Sequence, residues 1–217
     1  MSDIFNEVDE EVRRERLKKL WDQYSVYIIA FVVLLIAGVG GWRGYEYWTA
    51  QKAAAASAQF EDAAVLSEQG KSAEAEAAFA KIAADAPSGY RNLARLRAAA
   101  ELAKRDPKAA VAAYDALISD TSLDLMLRDT AAIRAGLLLV DTAPFSEMQK
   151  RLDPMTGSSS TFRHTARELL ALSAWRNNDA AATRRYIDMI ATDAETPATT
   201  RQRVDVLSAL IAADGKS

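Results

Sequence analysis

The sequence predicts an all-α protein in which one N-terminal transmembrane helix precedes a domain of helical hairpins. Three observations support this fold class: an uninterrupted apolar run near the N-terminus, abundant alanine in the rest of the chain, and a recurring pattern of alanine and aromatic residues. Alanine is the strongest helix former, and an alanine-rich chain with few β-branched residues favours closely packed helices. We expect a tail at 1–24, a transmembrane helix at 25–44 and a helical domain at 45–217.

The apolar run has the length of a membrane-spanning helix. No charged side chain lies between Asp22 and Arg43, and about 20 helical residues cross a hydrocarbon layer ~30 Å thick. The leader before the run is longer and more acidic than that of a secretory signal peptide. Aromatic residues, which favour the membrane–water boundary, flank the run at Trp21, Tyr24, Tyr27, Trp42, Tyr45, Tyr47 and Trp48. We therefore predict an uncleaved anchor in a lipid bilayer; a cleaved signal or a buried core helix is the weaker interpretation.

Positive charges near the run predict its orientation. Flanks rich in Lys and Arg stay in the cytoplasm. Only Arg43 and Lys52 follow the run closely, whereas five basic residues precede it: Arg13, Arg14, Arg16, Lys18 and Lys19. The tail is thus predicted to be cytoplasmic and the helical domain to lie on the far side of the membrane. In a Gram-negative bacterium these are the cytoplasmic and periplasmic sides of the inner membrane.

Small residues cluster at the C-terminal end of the run. Ala37 pairs with Gly41, and Gly40 with Gly44, at a spacing that lets another helix approach closely. These four residues are one candidate contact for a partner helix. The alternative is the ordinary glycine content of membrane helices.

The tail has its own apolar stripe. Apolar residues recur at three- and four-residue steps between Ile4 and Tyr24, which predicts an amphipathic helix leading into the span. This helix either rests on the membrane surface or docks on a membrane partner.

A pattern with a fixed period runs through the helical domain. Gly70 is followed by Ala75 and Phe79, one helical turn apart, and Pro87 closes the unit. The same pair recurs 35 residues later and again after two further periods, as Ala110 with Tyr114 and Ala182 with Tyr186. The pattern is similar to the second half of a tetratricopeptide repeat, in which a small residue lets two helices pack closely and an aromatic residue fills the space between repeats. A chance alignment of alanine-rich helices is the alternative.

The third period is degenerate. It predicts a helix that follows a capping box at Thr121–Asp124 and extends to Val140, then a shorter helix from Pro144 to Asp153. Residues 155–161 form a polar connection, and a helix at 197–212 caps the array. The array would begin near Gln51 and contain about eight helices.

Residues for catalysis are scarce. The chain has no cysteine and one histidine, His164, so thiolate sites and multi-histidine metal sites are excluded. The glycine-rich stretch at 38–44 matches no phosphate-binding motif. A net charge of −3 with interspersed signs gives no attraction to nucleic acid. We predict no catalytic, cofactor or metal site and no nucleic-acid partner.

The remaining candidate site is a protein-binding surface. Stacked helical hairpins form a groove lined by the first helix of each pair. We predict that this groove contains Arg95, Ala99, Leu102, Arg134 and Arg167. Its chemistry would suit apolar segments that carry acidic residues.

The layout resembles one known family. The stretch ERLKKLWDQYSVYIIAFVVLLIAGVGGWRGYEYW, followed by degenerate repeats, resembles the ancillary subunits of the SecYEG translocon; the most specific residues are Leu17, Lys18, Trp21 and Gly41-Trp42-Arg43. The resemblance implies a single-pass inner-membrane protein with a periplasmic repeat domain. It also implies, as partners, subunits of the Sec translocon and a membrane-anchored periplasmic chaperone of the prolyl-isomerase type.

Two other functions stay open from the sequence. The same repeat architecture can coordinate a cell-envelope or division assembly, and partner identity separates that role from a translocon accessory. An enzyme with an unrecognised site would need a pocket with strongly perturbed titratable groups.

Overall fold

The computed structural model describes the backbone of residues 2–214, and the side chains of residues 13–212 apart from position 88. This part of the chain consists of α-helices, one short 3₁₀ helix and connecting turns, without strands. The predicted all-α fold is confirmed. The helices are α1 (Ser2–Glu68), α2 (Ser72–Asp85), α3 (Ser88–Ala103), α4 (Pro107–Ser119), α5 (Leu125–Leu139), α6 (Phe145–Leu152), η1 (Asp153–Met155), α7 (Arg163–Arg176), α8 (Ala180–Ala191) and α9 (Ala198–Asp214).

The chain divides into two compact units, Met1–Ala54 and Ala55–Ser217. In the first unit, α1 carries the only stretch among the described residues that is long and apolar enough to cross a membrane, with a mean hydropathy of 2.2 and no buried residue in its most apolar window. Lys52 lies over the ring of Trp48 at 3.7 Å, beyond the apolar stretch. The apolar stripe predicted for the tail lies partly on residues 4–12, outside the described side chains.

The second unit is a row of helices in which each helix packs against the next. Alternate helices are also neighbours, since α3 contacts α5, α5 contacts α7, and α7 contacts α9. This arrangement is expected of stacked helical hairpins, because each hairpin buries its apolar side against its neighbours. The chain reverses at Gly70 and at Asn178, whose φ angles are positive, 74° and 60°. Gly and Asn tolerate this backbone conformation best.

The aromatic residues of the repeating pattern lie in the core. Phe79, Tyr114 and Tyr186 are each at most 2% exposed, and Ala75 and Ala110 are fully buried. Phe79 meets the ring of Phe60 edge-on at a centroid distance of 5.0 Å. Three buried clusters follow one another along the row, and each contains one of these aromatic residues. The predicted role of the aromatic residues as packing between helices is confirmed.

The third hairpin, formed by α5 and α6, is shorter than the others. Helix α6 has 8 residues, whereas the corresponding helices α2, α4 and α8 have 12 to 14. Gly136 on α5 faces Leu152, and a Cβ atom added to Gly136 would lie 3.1 Å from Leu152 Cδ1. The absence of a side chain at Gly136 therefore lets α5 and the end of α6 pack closely.

The start of this hairpin differs from the prediction. Helix α5 begins at Leu125, and its N-cap is Asp124, whose carboxylate accepts a hydrogen bond from the Leu127 amide at 2.8 Å. A capping box that starts at Thr121 is therefore wrong: Asp124 caps the helix from outside it. The predicted polar connection at 155–161 also contains two buried residues, Met155 and Thr156.

Candidate partner-binding surface

Helices α3, α5 and α7 each carry exposed side chains on a side that is not packed in the core. Leu93, Leu137 and Trp175 are 46%, 48% and 38% exposed, and Arg97 and Arg134 are exposed between them in sequence. We call these five residues the open face. Because alternate helices are neighbours in this row, these exposed apolar residues make the open face the candidate surface for binding another protein.

Helical geometry explains why these positions are free. Residues three and four apart share one side of a helix, and Leu93 and Arg97 continue into Ala100 and Lys104 along α3. On α5, Arg134 and Leu137 share a side, while the buried residues Ala131, Ala132, Ala135 and Gly136 turn toward the core. The open face thus lies away from the packed sides of both helices.

The open face is positively charged. Among the described residues, neither Arg97 nor Arg134 makes a hydrogen bond or an ion pair. Burial raises the pKa of Tyr114, and the positive charge of Arg134 offsets part of that increase. Two arginines without internal partners, next to exposed leucines, can pair with the carboxylates of an apolar segment.

The structure places three of the five predicted groove residues on the other side of α3. Arg95 forms an ion pair with Asp120 at 2.7 Å, Ala99 is 2% exposed, and Leu102 packs against the cluster that contains Tyr114. Arg95, Ala99 and Leu102 lie roughly 180° around the helix from Leu93 and Arg97, at about 100° per residue. The side chains of Arg95 and Ala99 therefore have internal contacts, and of the five only Arg134 belongs to the open face.

Arg167 also has an internal role. Its guanidinium is buried and donates hydrogen bonds to the carbonyls of Thr156 and Met189, at 2.9 and 3.0 Å, and to the Asp193 carboxylate at 2.7 Å. Arg163 binds the same carboxylate at 2.9 Å. Arg167 thus ties α7 to the connections that follow η1 and α8.

The Asp193 carboxylate should make stability depend on acid pH. Hydrogen bonds from Arg163 and then Arg167 hold its pKa well below the usual range. A lowered pKa in the folded state contributes stability that is complete above about pH 4, the ordinary Asp value, and that is lost as the pH falls below it. We expect Asp193→Asn to unfold more easily at pH 7 and to lose less stability between about pH 4 and 2 than the parent.

Urea unfolding across this pH range measures both effects. Asp188→Asn is the matched control, because Asp188 is exposed on α8 and its carboxylate makes no hydrogen bond or ion pair within the described structure. An acid dependence unchanged in Asp193→Asn would contradict the role given to this carboxylate.

His164 lies next to this cluster. Burial, and then the positive charge of Arg163, lower the pKa of His164, and its Nδ1 is 3.3 Å from the Thr196 hydroxyl. The part of the chain with described side chains holds no group of three or more His, Cys, Asp or Glu residues that could bind a metal ion. The contacts of His164 are those of a packing residue between α7 and the connection to α9.

The small residues of the apolar stretch are unobstructed. A Cβ atom added to Gly40, Gly41 or Gly44 would meet no atom within 4 Å. A partner helix contacting these glycines and Ala37 stays a prediction.

Comparison with protein families matches residues 18–186 to the tetratricopeptide repeat-like domain. The match covers the apolar stretch and helices α2 to α7, and it ends within α8. This chain belongs to the tetratricopeptide repeat-like family. Comparison with curated proteins and with solved structures gives no match. Domains of this tetratricopeptide repeat-like type are protein-interaction modules and are typically non-enzymatic scaffolds.

Proposed function

We propose that this protein is a membrane-anchored adaptor that assists protein secretion as an accessory of the Sec translocon. The observation that carries the proposal is the presence, in one chain, of a helix able to span a membrane and a tetratricopeptide repeat-like domain with an open face. An anchored binding domain raises the local concentration of its partner at the membrane surface. The resemblance of residues 15–48 to ancillary translocon subunits supports the choice of the Sec translocon.

The chemistry of the open face indicates what it binds. Leu93, Leu137 and Trp175 supply apolar contact area, and Arg97 and Arg134 supply charges without internal partners. A segment with apolar residues and nearby Asp or Glu fits this surface. We infer that the partner is a membrane-anchored periplasmic chaperone of the prolyl-isomerase type, which the domain holds near emerging envelope proteins.

Crosslinking in native membranes tests the proposal. A photoreactive amino acid at position 137 lies on the open face, on α5. The same group at position 188 is exposed on α8, which is not part of the open face. We expect translocon or chaperone subunits to be crosslinked from position 137 and not from position 188. Products that lack both classes of partner, or equal crosslinking from both positions, would contradict the proposal.

Charge reversal separates the open face from other basic surfaces. We expect Arg97→Glu combined with Arg134→Glu to reduce the captured partner at least about tenfold, because like charges would face the acidic residues of the partner. Lys81→Glu combined with Arg184→Glu makes the same change in net charge on α2 and α8, at exposed residues. Capture should be unaffected by this control pair. If both pairs reduce capture equally, net charge and not the open face controls binding.

A further inference from the structure

A pocket on the repeat domain is separate from the open face. It has a volume of about 650 Å³ and lies between α4, α5, α6 and η1. Its α5 wall is formed by Leu125, Arg128, Asp129 and Ala132, which lie on the opposite side of α5 from Arg134 and Leu137. The short α6 explains the space, because a helix of 8 residues covers less of α4 and α5 than its longer counterparts do.

The apolar part of the pocket includes both a floor and a projecting residue. Ile118, Ala132 and Met155 line the inside. Leu125 lies at the start of α5 and is 67% exposed, more than any other large apolar residue of the repeat domain that the structure describes. One surface thus carries an apolar projection next to an apolar depression.

The charged lining is balanced. Three acids, Asp115, Asp129 and Glu147, lie with three bases, Arg128, Lys150 and Arg151. Such a surface attracts neither a strongly acidic nor a strongly basic partner. Arg151 binds Asp115 and also lies 3.6 Å from Glu147, and Arg128 donates its Nε hydrogen to the Ile118 carbonyl at 2.9 Å.

Two charged residues of the lining have neither a hydrogen bond nor an ion pair among the described residues. Within the described part of the chain, Asp129 and Lys150 make no hydrogen bond or ion pair, although both line the pocket. Burial raises the pKa of Asp129, and the charge of Arg128 offsets part of that increase. Burial therefore makes the charged form of Asp129 less favourable. A positively charged side chain of a binding partner would stabilise the charged form of Asp129.

We propose that this pocket is a two-fold interface at which two copies of the chain bind each other. A two-fold axis brings the same surface of both copies together, so each copy must supply both halves of every contact. Leu125 of one copy enters the pocket of the other, and Asp129 of one copy pairs with Lys150 of the other, twice per dimer. The unpaired acid and base, the neutral lining and the projection beside the depression are what self-complementarity requires. A different protein would need only one half of each pair.

Charge reversal with mixing tests the interface. The full-length chain is purified in detergent micelles, and its mass is followed by multi-angle light scattering over a range of concentrations. We expect a dimer for the parent chain. Asp129→Lys and Lys150→Asp should each raise the dissociation constant roughly tenfold or more, because like charges then face each other at two places in the dimer.

Mixing the two single variants gives the decisive result. Across a two-fold axis, a chain with lysine at both 129 and 150 matches a chain with aspartate at both positions. We therefore expect differently tagged Asp129→Lys and Lys150→Asp chains to associate with each other more tightly than with themselves, and the double variant to regain parental affinity. Asp188→Lys and Lys81→Asp, at exposed positions on α8 and α2, are controls that should leave the dimer intact.

Several outcomes would overturn the proposal. A parent chain that stays monomeric at all concentrations removes the interface. Dimers that persist unchanged in both single variants arise from another surface, such as the membrane helix. If each single variant is weaker but the mixture does not recover, Asp129 and Lys150 do not face each other across a two-fold axis.

Discussion

Replacement of Arg167 by alanine should lower the free energy of unfolding of the repeat domain by about 3 kcal/mol or more, the usual cost of breaking a buried ion pair. The buried guanidinium makes three hydrogen bonds, two of them to main-chain carbonyls and one to Asp193. Without it, the buried carbonyl of Thr156 and the half-buried carbonyl of Met189 lose this donor, and Asp193 keeps only one of its two arginine partners. We expect a melting temperature about 10 °C lower, given roughly 2 to 4 °C per kcal/mol in a domain of this size.

Calorimetry or circular dichroism measures this change. Arg184→Ala is the control, since Arg184 lies on the adjacent helix α8 and is exposed; it should move the melting temperature by no more than about 2 °C. Arg167→Lys should also be destabilised, because an ammonium group cannot match the fork of a guanidinium. If Arg167→Ala melts with the parent chain, Arg167 does not hold α7 to its neighbouring connections.

Sequence periodicity was sufficient to predict the helical hairpins. The same spacing recurs because each repeat must pack in the same way. The four residues that show it are all buried: Ala75, Phe79, Ala110 and Tyr114. Packing of this kind follows from local geometry, because an alanine and an aromatic one turn apart occupy one side of a helix. The ends of the short third hairpin were predicted instead from capping and proline signals, and the observed helices end within a few residues of them.

The sequence could not show which arginines on α3, α5 and α7, the first helices of their hairpins, are buried and which are exposed. Arg97, Arg134 and Arg167 have the same side chain and all lie on such helices, yet Arg167 is buried and the other two are exposed. Arg167 is buried because Asp193, on a distant connection, supplies its counter-charge, and no local pattern reveals a partner 26 residues away. On α3, the sequence did contain an indication of the exposed side. Leu93 and Arg97 form an i,i+4 pair on the side of the helix opposite Ala99, which is buried.

The charge distribution around the apolar stretch predicts on which side of a membrane the tail and the repeat domain lie. Five basic residues precede the stretch and only Arg43 and Lys52 follow it closely, which favours a cytoplasmic tail. A partner in the periplasm can reach the open face only if the repeat domain is on that side. The whole proposal of an anchored periplasmic adaptor therefore depends on this orientation.

Cysteine labelling tests that orientation most directly, because the chain has no cysteine of its own. Two variants are made, Glu15→Cys in the tail and Ala181→Cys at an exposed position of α8, and a Gram-negative host with a permeabilised outer membrane is treated with a membrane-impermeant maleimide. Position 181 should be labelled in intact cells, and position 15 only after the inner membrane is broken. Labelling of position 15 in intact cells while position 181 stays protected would contradict the account, as would equal labelling of both.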